Sequence, residues 1–321
     1  MLFDDQPSHD DTYDDFYAGL PVYSVLSEKS LVESPPPDPG AVAWKLQASE
    51  WSEELPDDIM EVLGWFFDHA DTAKVKAIVI GEWEENAETS SEQIVKLLAG
   101  NADRLPELRS VFLGAISPEQ SEISWIQQSD VTPLLTAFPR LERLEVRGGS
   151  ELRFPPVRHE SLRVLRFETG GLPAAVVRGV GESDLPALEH LELWFGIDDY
   201  GGDSTLDDVS GILSGARLPA LRYLGLQNCP YADELAGAVA AAPVVARLET
   251  LSLSMGSLGD DGAAALLSGQ PLTHLRRLDL RHHYIGESMA ARLTAALPGV
   301  EVLLGEPADP EDHWQYVAVS E

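Results

Sequence analysis

Cysteine is almost absent from this sequence, which contains a single one, Cys229. One thiol excludes an internal disulfide and the zinc sites that need several thiolates. The chain also lacks any apolar run approaching 18 residues, and its opening segment MLFDDQPSHDD has neither the basic nor the apolar region of a secretory signal. We therefore expect a cytoplasmic protein that neither crosses nor anchors to a membrane.

Positive charge is scarce as well. Lys and Arg number 22 against 54 Asp and Glu, and the formal net charge is -32. A field of this sign repels nucleic acid and anionic lipid, so neither is an expected partner. A salt-adapted or GC-rich source explains the acidity equally well, and that alternative stays open.

Sequence motifs of the common enzyme classes are missing. The chain contains no phosphate-binding loop, G-x-S-x-G or H-E-x-x-H. His282 and His283 lie near Asp279, but adjacent strand residues point to opposite faces, which disfavours a shared metal ion. The loop DDYGGD at 198–203 lacks the spacing of a calcium loop. We expect no cofactor, no metal and no catalysis.

A repeated leucine pattern is what the sequence does contain. LPALEHLELWF at 185–195 returns 33 residues later as LPALRYLGLQN at 218–228, and L-x-x-L-x-L occurs about nine times at an average spacing of about 28 residues. The alternation predicts strands with one buried face, and the segments between them read as helices. Strands are predicted within 75–80, 108–113, 141–146, 162–167, 188–193, 221–226, 248–253 and 275–280.

Strand-helix units of this kind bury their leucines only by stacking on neighbours, which predicts one repeat array over 75–305. An array needs a cap, and 41–74 supplies one, with a strand at 41–47 and an apolar helix at 54–70. The step from Leu141 to Leu162 is too short for a full helix, so an irregular path is expected there.

Both ends of the chain are acidic. Residues 1–40 hold nine carboxylates and one lysine and end in ESPPPDPG, which predicts a disordered arm. Residues 306–321 hold five carboxylates and no base but include Trp314, Tyr316 and Val317. The sequence predicts an acidic tail, and the aromatic and apolar residues leave open whether part of it docks.

The repeats resemble a known family. The frame Leu275, Leu278, Leu280 followed by RHHYIGESMAARLTAAL is similar to leucine-rich repeats of the ribonuclease-inhibitor type. That resemblance implies a curved α/β solenoid with a parallel sheet on the concave side and helices on the convex side. From about residue 41 onward the chain also resembles an uncharacterised bacterial leucine-rich-repeat family named after an enterobacterial locus, through ISWIQQSD, LWFGIDDYGGD, RHHY and YVAVSE. The second resemblance implies no activity.

One position departs from the repeat type. The third residue after the last frame leucine is normally Asn or Cys, whose side chain turns inward. Only Cys229 fits, and it is interpreted as a buried turn thiol; the glycines suggest positive-φ turns instead. The residues at this position are Trp83, Ile116, Gly149, Gly170, Gly196, Cys229, Gly256 and His283.

The concave, or inner, face is formed by the strand side chains that flank the frame leucines, because side chains alternate along a strand. Arginine and large aromatics recur on this face, a composition typical of interface anchors. Cross-strand pairing with Glu145, Glu168, Glu192 and Asp279 explains the arginines equally well. The candidate partner-binding residues are Arg143, Arg147, Arg166, Trp194, Tyr223, Arg277 and Arg281, with Trp125, Tyr200 and His283 as possible rim contacts.

These features favour a monomeric, non-catalytic recognition module that binds a protein or peptide with an acidic patch. The alternative is a regulator of an enzyme, such as a GTPase-activating-type protein. An enzyme with an unrecognised site is less favoured, since no clustered acid and base is evident.

Overall fold

The computed structural model describes residues 15–36, 38–49, 55–83, 86–305, 307–308 and 315–321. The chain divides into two compact units. The first comprises Met1–Arg153 and His159–Val164, and the second comprises Phe154–Arg158 and Leu165–Glu321. In both, strands alternate with helices along the chain.

The first unit begins with a short antiparallel pair, β1 with β2, after which the strands are parallel and neighbours in chain order. Residues of the predicted frame share one register, since Ile78 pairs with Val111 and Val111 with Leu144. All three are fully buried. The elements are β1 Phe16–Tyr17, β2 Leu20–Val25, α1 Glu28–Glu33, β3 Ala43–Leu46, α2 Ile59–His69, β4 Ala77–Ile80, α3 Glu92–Gly100, β5 Ser110–Leu113, α4 Thr132–Ala137 and β6 Arg143–Arg147.

The second unit repeats the plan with parallel strands in chain order. Leu191, Leu224, Leu251 and Leu278 lie in one register and are fully buried. The solenoid-like α/β fold predicted from the sequence is confirmed. The elements are β7 Val164–Glu168, which begins in the first unit, then α5 Ala174–Glu182, β8 His190–Trp194, α6 Leu206–Ser214, β9 Tyr223–Gln227, α7 Ala232–Ala240, β10 Thr250–Ser252, α8 Asp260–Ser268, β11 Arg277–Asp279, α9 Glu287–Ala296 and β12 Glu301–Leu303.

Helices α5 and α6 approach each other through glycine. A Cβ atom added at Gly211 would lie 2.9 Å from the Gly181 carbonyl oxygen, so a larger residue would push the two helices apart. Helix α6 starts at the capping signal read from the sequence, where the Asp208 carboxylate accepts the Thr205 backbone N–H at 2.7 Å.

The prediction of a disordered arm over 1–40 is wrong for residues 15–33, which form β1, β2 and α1. Tyr17, Val25 and Leu31 are buried. Acid and proline lower the average hydrophobicity of this segment, but its few apolar residues are spaced to pack as strand and helix. Strand β2 pairs with β3, so the predicted cap strand is not the first of the array. Residues 1–14 and 37 of the predicted arm lie outside the described residues.

The short repeat step is irregular, as expected: residues 148–163, all of them described, form bridges and turns but no helix. The turn prediction is largely wrong. Of the four glycines named for it, only Gly196 has a positive φ. In three later repeats the left-handed residue comes one position earlier and is Asn228, Met255 or His282.

Candidate functional site

A charged network lies on the inner face of β7 and β8. The Arg166 guanidinium contacts the Glu168 carboxylate at 2.6 Å and the Glu192 carboxylate at 3.1 Å. Trp194 donates its indole N–H to Glu192 at 2.9 Å, and the Arg166 guanidinium carbon lies 5.9 Å from the centre of its ring. The guanidinium of Arg166 is thus shared between two carboxylates within the face.

Two predicted anchors belong to this buried layer. Tyr223 stacks on His190 with ring centroids 3.8 Å apart and planes 3° from parallel. Only 2% of Trp194 and 3% of Tyr223 are accessible to solvent. The expectation that these aromatics are exposed contacts is wrong, because neighbouring strand side chains pair with them and cover them.

Glu192 is the electrostatic centre of the network. Burial acts to raise the pKa of its carboxyl, but the charge of Arg166 and hydrogen bonds from His190 and Trp194 outweigh burial and hold the pKa at about 2. Glu192 is therefore ionised throughout the neutral range, and the network carries both charges of its ion pair.

The first unit closes its inner face with its own N-terminal hairpin. Tyr17 of β1 packs with Ala77, Val79 and Phe112, its ring centroid 6.2 Å from that of Phe112. The Arg143 guanidinium carbon lies 6.0 Å from the centre of the Tyr17 ring. This face is occupied from within the chain.

The two predicted contact arginines of this unit are engaged locally. Arg143 forms an ion pair with Glu145 at 3.0 Å. Arg147, only 2% accessible, donates to the Ile116 carbonyl oxygen at 2.8 Å and lies over Phe112. Arg143 thus pairs with a carboxylate of its own strand, whereas the buried Arg166 also pairs across strands with Glu192, so the pairing alternative fits these buried arginines better than an exposed contact surface.

The last predicted arginines, on and after β11, are different because they reach solvent. Arg277 pairs with Glu301 at 2.8 Å, and its side chain is 35% accessible. Arg281 pairs with the buried Asp279 carboxylate at 2.6 Å, and its side chain is 54% accessible. Both arginines therefore present charge at the surface, while an ion pair within the protein holds each guanidinium group in place.

Aromatic groups surround the end of β11. His282 and Tyr284 meet edge to face with centroids 6.2 Å apart. The backbone of Tyr316, a residue 57% exposed, donates to the Tyr284 hydroxyl at 2.7 Å. We call Arg277, Arg281, His282, Tyr284 and Tyr316 the arginine-aromatic patch.

Comparison with known proteins supports the fold. No protein-family model and no curated protein matches the chain. One solved structure, a structural-genomics target from Bacteroides fragilis, is similar to it at 29% identity and a TM-score of 0.71, covering 81% of this chain and 72% of that one. The two chains share an α/β architecture.

The three predicted rim residues differ in exposure. Trp125 is 53% exposed, and Tyr200 is half-buried with its hydroxyl donating to the Glu321 carboxylate. His283 is buried, so the expectation of a rim contact is wrong there; its Nδ1 accepts the Ile285 N–H, and burial lowers its pKa.

Within the described ranges, no helix is long and apolar enough to cross a membrane.

The sequence reading missed the residues that hold the C-terminal tail. Residues 315–321 are described and docked: the Val319 N–H donates to the Asn228 side-chain oxygen at 3.0 Å, and Val319 is 8% accessible. A periodic feature of the sequence could have indicated this contact. Asn228, Met255 and His282 stand 27 residues apart at the same position of successive repeats.

Proposed function

We propose that this chain is a non-catalytic recognition module whose arginine-aromatic patch binds a protein or peptide carrying an acidic patch. The proposal is carried by one observation: Arg277 and Arg281 are the predicted contact arginines of the second unit that reach solvent, and Arg281 is followed directly by His282, whose half-buried ring meets that of Tyr284. The binding surface is thus narrower than the whole inner face.

Physical chemistry favours this patch as a contact surface. Tyrosine and arginine are enriched among residues that dominate binding energy, and arginine pairs with carboxylates through two parallel hydrogen bonds. Arg281 already makes such contacts with Asp279, which fixes its guanidinium and lowers the entropy lost on binding a partner.

The repeat type and the setting belong to the same proposal. The L-x-x-L-x-L frame in parallel register supports assignment to the ribonuclease-inhibitor type of leucine-rich repeat and to the bacterial family that the sequence resembles. We propose a cytoplasmic monomer. A GTPase-activating-type regulator is the alternative, and it predicts that capture of the partner depends on bound nucleotide.

The test is affinity capture from an extract of the source cell, followed by titration of the captured protein against two variants. The test variant combines Arg277→Ser, Arg281→Ser and Asp279→Asn, so that no buried carboxylate loses its counterion. The control combines Arg276→Ser and Glu249→Gln, which break another ion pair, with Arg292→Ser in α9. Both variants make the same change in net charge.

We expect the test variant to bind the captured protein at least tenfold more weakly, the control to bind within twofold of wild type, and added salt to weaken wild-type binding. Equal affinity of test and control variants at an unchanged melting temperature would refute the patch. Capture that requires GTP would favour the regulatory alternative.

A further inference from the structure

Three turns of the second unit carry a row of left-handed residues. Asn228, Met255 and His282 follow β9, β10 and β11, with φ of 55°, 68° and 55°. Asparagine adopts this conformation readily, whereas a methionine there is uncommon. Backbone outliers of this kind concentrate at functional sites.

Each turn holds the backbone of the C-terminal tail. His282 Nε2 lies 3.0 Å from the Tyr316 carbonyl oxygen, and the Met255 carbonyl oxygen accepts the Ala318 N–H at 2.8 Å. The tail therefore crosses the turns in the order β11, β10, β9, opposite to the order of the repeats.

The Asn228 side chain binds both backbone polar groups of one tail residue. Its side-chain oxygen accepts the Val319 N–H at 3.0 Å, and its side-chain nitrogen donates to the Val319 carbonyl oxygen. Asn228 is fully buried, so both ends of its amide are committed inside the protein rather than to water. Both hydrogen bonds are made to backbone groups, so they do not depend on which side chain the tail residue carries.

Side-chain selection comes from two positions. Val319 is buried, whereas Tyr316 and Ala318 are exposed. Two residues beyond Val319, the Glu321 carboxylate accepts a hydrogen bond from the Tyr200 hydroxyl. The ligand that fits is a peptide with a branched aliphatic residue two positions before an acidic one.

We propose that this row of turns is a peptide-binding site, and that residues 315–321 occupy it as an exchangeable ligand supplied by the same chain. One buried side chain and a few hydrogen bonds make release of the tail a local event that leaves the repeats folded. Tethering gives the tail a high effective concentration, so it excludes free peptide from the wild-type site. The site shares His282 and Tyr316 with the arginine-aromatic patch but does not require Arg277 or Arg281, so the arginine substitutions above and the peptide titration below test the two proposals separately.

The experiment titrates a fluorescein-labelled peptide of residues 315–321, QYVAVSE, into full-length chains. Val319→Asp places a charge at the buried position and releases the tail. Ala318→Asp is the matched control, because it adds the same charge at an exposed position whose contact is made by the backbone. A third chain combines Val319→Asp with Asn228→Ala.

The Val319→Asp chain is expected to bind the peptide at least tenfold more tightly than wild type or Ala318→Asp, and Asn228→Ala is expected to remove that binding. Equal or absent binding to a folded Val319→Asp chain overturns the proposal. If that chain does not fold, hydrogen exchange of the Ala318 and Val319 amides in wild type decides: excess peptide must accelerate it, and unchanged exchange refutes the site.

Discussion

Arg166 illustrates how strongly one side chain of the inner face depends on its neighbours. Two carboxylates share its guanidinium, and all three groups are buried. Arg166→Ala removes the buried guanidinium that those two carboxylates share, and we expect it to cost about 3 to 5 kcal/mol of unfolding free energy. Urea denaturation followed by circular dichroism measures this loss.

The control is Arg178→Ala, which breaks an ion pair with Asp208 in which the arginine is half exposed and is expected to cost about 1 kcal/mol or less. Were Arg166 a surface contact, as the sequence suggested, the two substitutions would cost the same.

The lowered pKa of Glu192 makes the contribution of the network to the unfolding free energy depend on pH. Because the folded pKa is about 2 and the ordinary value is 4.5, the unfolded chain binds more protons between these values. The stabilisation, about 3 kcal/mol by linkage, is complete above pH 4.5 and is lost as the pH falls through 2. The stability difference between wild type and Glu192→Gln, measured from pH 7 to pH 2, should shrink accordingly; a constant difference would contradict the assignment.

At the scale of the element, the repeat frame should respond to truncation as a packed core does. Leu224 is fully buried in β9, in register with leucines of β8 and β10. Leu224→Ala is expected to cost about 2 to 5 kcal/mol through lost apolar burial and the cavity that remains. Leu26→Ala, at a residue 42% exposed, should change stability by about 0.5 kcal/mol or less. Chemical denaturation compares the two.

The frame leucines could be predicted from the sequence because their burial follows from repetition. The frame positions that surround Leu224 in one repeat have equivalents that surround Leu251 in the next repeat. The exposure of the inner face could not be predicted in that way, because it depends on which particular side chains meet across strands. Glu192 lies 26 residues after Arg166, one repeat away, and only the register turns that spacing into a contact.

Tyr17 shows a second reason why sequence reading fell short. Average composition, which acid and proline dominate, predicts disorder for its segment, whereas its structure depends on where a few apolar groups fall. Its aromatic ring packs on alanine, valine and phenylalanine side chains of the neighbouring strands. The average composition of a 40-residue segment does not reveal the contribution of one such ring.

For the whole molecule, the net charge of -32 opposes compaction through self-repulsion. Raising NaCl from about 10 mM to about 150 mM shortens the range of that repulsion, and the melting temperature at pH 7 should rise. The same salt change near the isoelectric point should have little effect. A melting temperature that falls with salt at pH 7 would mean that the ion pairs outweigh the repulsion.

The buried thiol of Cys229 can report transient opening of the second unit. It follows β9 and is 1% accessible, and burial raises the pKa of its thiol, so almost no thiolate is available to a reagent in the folded state. Labelling by a disulfide reagent should therefore proceed only through transient opening of the second unit, at a rate set by the opening equilibrium. Leu224→Ala should accelerate labelling about tenfold for every 1.4 kcal/mol by which it lowers the free energy of opening. The labelling rate of this one native thiol therefore measures stability without denaturant.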